Sequence, residues 1–234
     1  RRFDLHYDYD KQILVTVGGS EGIDCAIRCL INPGDEVILP APYWVSYLEL
    51  IKMVGAAPVI VTAEESAGFK MTAQQLEAAI TPKTKCIILN NPSNPTGMVY
   101  SREELEAIAQ VCVKHQIYVI ADEIYYGLLY DGLTFTSFAS LGDEVKDLTI
   151  LINGVSKAYA MTGWRIGYVA AGGEALPAPT TSLPRGWATS SATPPALPHP
   201  FPRRRRWPLL GALKARWSPC GKPLKNAGIT LSAG

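Results

Sequence analysis

Lys157 stands in Ser156-Lys157-Ala158-Tyr159 and is followed eight positions later by Arg165, then by Gly167-Tyr168. On a loop after an apolar strand, with small and polar neighbours, a lysine keeps its amine accessible, and such an amine is a nucleophile toward carbonyl carbon. Asp122 closes the apolar run 117–121. A carboxylate there is costly to bury unpartnered, so it serves either as a loop or helix-cap acid or as the mate of a positive group. Gly18-Gly19-Ser20 follows the apolar run 13–17 and leads into a helical pattern over 21–30. Backbone N–H groups at such an entry, with the positive end of the helix dipole, hold a phosphate dianion. Arg165 offers a bidentate fork to the same kind of group. Two further marks are weak alone. Asn94 in Asn94-Pro95-Thr96-Gly97 reads as an ordinary turn, and Tyr43-Trp44 after Pro42 opens a helical pattern, where a large aromatic usually joins the core.

The elements that must position these residues alternate. Apolar runs at 13–17, 36–39, 58–61, 86–89, 117–120, 149–152 and 166–170 predict buried strands. Helical patterns lie at 21–30 and 44–54, and two more follow Thr72-Ala73-Gln74-Gln75 and Ser101-Arg102-Glu103-Glu104, which have the form of capping boxes. Asn32-Pro33-Gly34-Asp35 stops the first helix. Strands that are apolar throughout, rather than at every second residue, are covered on both faces. The expected fold class is therefore α/β, a three-layer sandwich around a mostly parallel sheet. Ligands gather at the strand ends of such sheets. Gly19, Asn94, Asp122 and Lys157 each follow or end a different strand, which puts them on one rim.

Taken in order, Gly18-Gly19-Ser20, Tyr43-Trp44, the run Asn-Asn-Pro-Ser-Asn-Pro-Thr-Gly at 90–97, Ala121-Asp122-Glu123-Ile124-Tyr125 and the stretch 156–168 resemble the fold-type I pyridoxal-phosphate (PLP) enzymes. The resemblance is to the class I/II aminotransferases of the aspartate and aromatic amino-acid kind, and it covers about residues 1–171. It implies that Lys157 forms a Schiff base with the cofactor and then moves a proton. Asp122 would keep the pyridine nitrogen protonated, while Asn94 and Tyr125 would donate to the phenolic oxygen. Trp44 would stack on the ring, with Tyr43 as its substitute. Gly18, Gly19, Ser20 and Arg165 would hold the phosphate. The family often carries a phosphate-binding hydroxyl three residues before the lysine, where this chain has Gly154. Implied partners are an amino acid and a 2-oxo acid, with a homodimer for the full-length enzyme in the cytoplasm, no nucleic acid and no membrane. A PLP-dependent C–S lyase shares the same marks and is the alternative reading.

Composition divides the chain. Residues 1–171 carry 13 basic and 20 acidic side chains, whereas 172–234 carry 9 basic and one acidic, with 11 of the 18 prolines and the run Arg203-Arg204-Arg205-Arg206. No helical or strand period survives proline at that density. The expected organisation is a partial PLP-binding large domain over 1–171 and an unstructured Pro/Arg-rich tail over 172–234, translated out of frame. Residues 211–232 can be back-translated so that a frame one base earlier encodes an amphipathic helix. The chain is expected to be an inactive fragment, without the N-terminal segment and the carboxylate-binding arginine that the resemblance implies. A basic arm that binds nucleic acid is the remote alternative. Five cysteines without a CxxC pair fit reduced thiols, and Cys25 and Cys29 read as small apolar residues on a helix face rather than a metal half-site. His6 and His115 lack a partner spacing, and no metal is expected.

Overall fold

The computed structural model describes Phe3 and residues 5–172. The expectations for the tail, including the frame shift, lie outside the described residues.

Among the described residues seven strands form one sheet in the order β1-β7-β6-β5-β4-β2-β3. They are β1 (Ile13–Val17), β2 (Glu36–Ala41), β3 (Ala57–Thr62), β4 (Thr84–Asn90), β5 (Tyr118–Asp122), β6 (Thr149–Gly154) and β7 (Ile166–Ala171). Only β7 runs against the rest, pairing antiparallel with both β1 and β6. The helices are α1 (Gly18–Leu30), α2 (Ser46–Met53), α3 (Ala73–Ala79), α4 (Arg102–His115) and the short α5 (Asp143–Leu148), the last not anticipated from the sequence.

The continuous apolar character of the strands is spent on two faces. In β4, Cys86 and Ile88 join α1 and α2 in one core, while Ile87 and Leu89 join α3 and α4 in another. Ile120 of β5 faces the first core, and Val119 and Ala121 face the second. Successive side chains of a strand point to opposite faces, so a strand covered on both sides has no polar position to spare. Each fully buried Ile or Leu here stabilises by about 1.5–3 kcal/mol relative to exposure. The expected three-layer α/β sandwich is what forms.

Helix starts follow local chemistry. Thr72 and Ser101 accept from the backbone N–H of Gln75 and Glu104, whose side chains accept back from the cap N–H, so both capping boxes close as expected. Two boundaries differ. Gly18-Gly19-Ser20 is not a turn before the helix but its first turn, and the Glu21 carboxylate accepts from the Val17 N–H. α2 begins at Ser46, so Trp44 precedes it.

β1 is not the buried strand its apolar run predicts. It is an edge strand, and Val15 and Val17 are 71% and 61% exposed. Its other face is covered, with Thr16 buried and Leu14 packed against the core that α1 builds. Among the described residues no helix is long and apolar enough to cross a membrane.

Candidate active site

The parallel strands β4, β5 and β6 end on one rim with β1, and the predicted residues collect there. Asp122 is the last residue of β5 and is 5% exposed. Its Oδ2 accepts from the Tyr47 phenol at 2.6 Å and its Oδ1 from the Ile124 N–H at 3.2 Å. Burial pushes its pKa up, and these two hydrogen bonds pull it back. A buried carboxylate with neutral donors only is a half-completed ion pair; a cation set against it would complete it.

Tyr47 was not legible as a site residue. It sits on the inward face of α2, 1% exposed, three positions after Trp44, whose ring meets it edge-to-face at 5.3 Å. Burial and Asp122 together raise its pKa well above the usual phenol value, so it stays a donor. An inward tyrosine on an otherwise apolar helix face was the available signal, because a buried hydroxyl needs a partner.

The 90–97 loop is clipped to the same strand end. Asn90 Nδ2 donates to the Asp122 carbonyl at 2.9 Å, and Asn90 Oδ1 accepts from the Asn94 N–H at 2.7 Å. Asn94 Nδ2 then donates to Tyr125 Oη at 3.3 Å. The peptide bonds before both Pro92 and Pro95 are cis. Asn90, like Tyr47, escaped sequence reasoning: an asparagine at a strand end looks like any loop residue. Lys157 is exposed on the loop after β6, and its Nζ lies 5.6 Å from the centroid of the Tyr125 ring. Asn94, Tyr125 and Lys157 thus form one continuous group.

A second group lies at the start of α1. A Cβ placed on Gly18, whose φ is +78°, would lie 2.5 Å from Arg165 Nη2, so the guanidinium fills the space that a side chain there would need. A Cβ on Gly167 would lie 2.4 Å from the Gly18 carbonyl carbon and 2.6 Å from the Gly19 nitrogen. Glycine at 167 lets β7 press against the first turn of the helix, which brings Arg165 over it. Arg165 itself sits at φ +51° and donates to the Thr162 carbonyl at 3.1 Å. Ser20, in the same turn, is exposed. Gly19 joins the two groups, since a Cβ on it would touch Ile124 at 3.2 Å.

Gly154 has a physical explanation. It ends β6 opposite Gly167, and a Cβ on it would approach the Ile166 carbonyl oxygen to 2.8 Å. There is no room for a hydroxyl-bearing side chain. Ser156 is buried beside Lys157. Trp44 contacts Tyr47 and packs against the first core, and Tyr43 lines a small pocket with Tyr47, Asn90 and Asn94. The two candidates for ring stacking therefore both border the Asp122 side of the rim. His6 and His115 lie elsewhere. The His6 carbonyl accepts from Lys146, and His115 Nε2 is 2.7 Å from Glu77 Oε1.

These residues fit pyridoxal phosphate. The buried, cation-free carboxylate of Asp122 suits a protonated ring nitrogen, and the Asn94–Tyr125 pair offers donors to an oxygen. The glycine-lined helix start under Arg165 suits a dianion, and Lys157 brings an accessible amine.

The comparisons agree with the geometry. The family model described as aminotransferase class I and II matches residues 2–198. The chain is 50% identical over 170 residues to an aspartate aminotransferase of Bacillus sp. (strain YM-2), covering 73% of this chain and 43% of that protein. It is also 50% identical over 169 residues to an asparagine–oxo-acid transaminase of Streptococcus mutans, covering 71% and 43%. Among solved structures, the aspartate aminotransferase of Rhizobium meliloti superposes with a TM-score of 0.69 at 42% identity, over 71% of this chain and 42% of that one. The N-succinyldiaminopimelate aminotransferase of Mycobacterium tuberculosis gives 0.71 at 39%, over 75% and 46%. The chain thus spans less than half the length of the relatives it matches. It belongs to the aminotransferase class I and II family.

Proposed function

We propose that this segment is the cofactor-binding part of a PLP-dependent aminotransferase that moves an amino group from an amino acid to a 2-oxo acid. One observation carries the reading: Asp122 and Tyr47, Asn94 and Tyr125, Lys157, and Arg165 over Gly18 come from five separate stretches of sequence and meet on one rim. When bound, the pyridoxal ring draws electrons from the substrate's Cα–H bond.

The protein's own groups do the rest. Lys157 Nζ would be the general base that takes the substrate's Cα proton and carries it during the transfer. Asp122 holds the proton on the ring nitrogen. Its raised pKa is an obstacle only until that cation arrives, because an opposite charge favours the ionised carboxylate. The Asn94 amide and the Tyr125 phenol donate to the ring oxygen, which steadies negative charge there. Arg165 and the N–H groups at the start of α1 hold the phosphate and fix the ring's register against Lys157. Trp44 or Tyr43 covers a ring face.

The same reading makes the full-length enzyme a cytoplasmic homodimer. Supporting the dimer, exposed apolar residues flank three site elements: Val17 before Gly18, Val45 after Trp44, and Trp164 before Arg165. Clusters of exposed apolar surface mark places where another surface docks.

Incubation of the purified chain with PLP, borohydride reduction and peptide mapping test the site. The reduced cofactor is expected on Lys157; its recovery on Lys146 or any other lysine would overturn the assignment.

A further inference from the structure

Two consecutive asparagines, one ending β4 and one opening the loop after it, are bonded to the site in different ways. Asn90 stands beside Asp122 in the register of β4 and β5. Its Nδ2 donates to the Asp122 carbonyl at 2.9 Å, and its Oδ1 accepts from the Asn94 N–H at 2.7 Å. The partners fix which way the amide faces, because a carbonyl needs a donor and an N–H needs an acceptor. One short planar group thus joins the residue that carries the buried carboxylate to the residue whose own amide donates to Tyr125.

Asn91 holds the loop itself. Its N–H donates to the same Asp122 carbonyl at 3.1 Å, and its side chain, 4% exposed, accepts from the Tyr100 N–H at 3.0 Å. Inside the loop the Ser93 N–H donates to the Met98 carbonyl and the Gly97 N–H to the Ser93 carbonyl, each at 2.9 Å. Closure of the loop therefore does not pass through the Asn90 side chain. What that side chain adds is a direct tie between two residues that face the cofactor site from different stretches of sequence. Asparagine suits the place because it offers a donor and an acceptor at a fixed separation, whereas an aspartate offers only acceptors.

We propose that Asn90 is a positioning residue that sets the spacing between Asp122 and Asn94, and so between the group that meets the cofactor's ring nitrogen and the group that meets its ring oxygen. Those two atoms belong to one rigid ring, so their separation is fixed, and the protein groups that meet them must be held to within about 0.5 Å. What the two groups face rests on the cofactor reading above; the bridge itself does not.

The bridge is tested on the full chain without cofactor, by amide hydrogen exchange. In Asn90→Ala the Asn94 amide should exchange about fivefold faster, the worth of one ordinary hydrogen bond. In Asn90→Asp, which keeps the acceptor, it should stay slow. The Tyr100 amide should exchange at the wild-type rate in both. An unchanged Asn94 rate in Asn90→Ala overturns the bridge, and an equal rise at Tyr100 would show that Asn90 merely closes the loop.

The spacing is tested with PLP as titrant. Asn90→Ala and Asn90→Asp should both bind it about fivefold more weakly, since each loses the donor to the Asp122 carbonyl. Wild-type affinity in Asn90→Asp would remove Asp122 from the tie. A donor to the ring oxygen steadies its negative charge, which lets the cofactor-bound Lys157 nitrogen lose its proton at lower pH. The pH midpoint of the absorbance of PLP on Lys157 should therefore rise in Asn94→Ala, rise less in Asn90→Ala, and rise no further in the double variant than in Asn94→Ala. Such non-additivity is the mark of one residue acting through another. Additive shifts, or a midpoint that either single variant leaves in place, overturn the positioning role. A wild type that does not take PLP on Lys157 overturns the cofactor reading and the role given to the spacing, while the exchange rates still decide the bridge.

Discussion

The two ends of the candidate site are built on opposite principles. Around Asp122 everything is enclosed: the carboxylate is 5% exposed and bonded to a tyrosine that is itself 1% exposed. Around Lys157 and Arg165 the reactive groups stand at the surface on a loop, with Arg165 resting on a helix start stripped of side chains. The enclosed end is suited to a fixed electrostatic task, holding one proton on one ring atom, and a low-dielectric setting magnifies each oriented charge. In the proposed function, the open end lets an amine move and a substrate enter. Burial therefore follows the division of labour between holding charge and moving atoms.

Substitutions at the two ends, made in the full-length enzyme, should break that division in different ways. The largest effect is expected at the open end. Lys157→Ala removes the proton carrier and should cost about 10²–10⁴-fold or more in amino-group transfer, with borohydride no longer fixing PLP to the chain. Turnover within tenfold of wild type would reassign the role.

At the enclosed end, Asp122→Asn should leave PLP bound while costing about 3–4 kcal/mol in the transition state, because a neutral amide cannot keep the ring nitrogen protonated. Single-turnover rates beside a PLP titration separate the two effects. Unchanged rates would remove Asp122 from the mechanism.

Tyr47→Phe probes the same end more gently. It deletes a donor to a charged acceptor, worth about 1.5–3 kcal/mol, and that donor is a leading reason the Asp122 pKa is not higher still. The acid limb of the pH–rate profile should therefore move to higher pH, since Asp122 must be ionised and loses a bond that favours ionisation. A limb that stays in place would show that burial alone governs Asp122.

The smallest effect returns to the open end. Gly18→Ala puts a Cβ against Arg165 Nη2 and forces a non-glycine residue to φ +78°. With about 1–2 kcal/mol of strain, PLP affinity should fall roughly tenfold with little change in rate once the cofactor is saturating. A matching loss of rate would mean that the helix start positions the ring as well as the phosphate.

Much of this architecture was legible beforehand, for reasons that are local. The strands announced themselves by apolar runs, and the two capping boxes by Thr72 with Gln75 and Ser101 with Glu104. Lys157, Asp122, Asn94 and Arg165 stood out because a lysine, an acid, an amide and an arginine recurred at strand ends in a recognisable order. The boundaries misread at Gly18 and Trp44 were also local. Two glycines weaken a helix, yet the first turn of α1 tolerates them because β7 packs on it through Gly167.

By itself, then, the sequence determined which residues can do chemistry and which side of the sheet's rim they reach, because both follow from residue type and position along a strand. Only the tertiary structure decided their partners. Tyr47 and Asp122 are 75 residues apart in sequence and 2.6 Å apart in space, and nothing in either segment encodes the other. The exposure of Val15 and Val17 depends on β1 lying at an edge. The absence of a side chain at 154 depends on β7 returning antiparallel beside β6. Periodicity reports how often a strand or helix meets an apolar environment. Which element supplies that environment is set by strand order, and strand order is a property of the whole sheet.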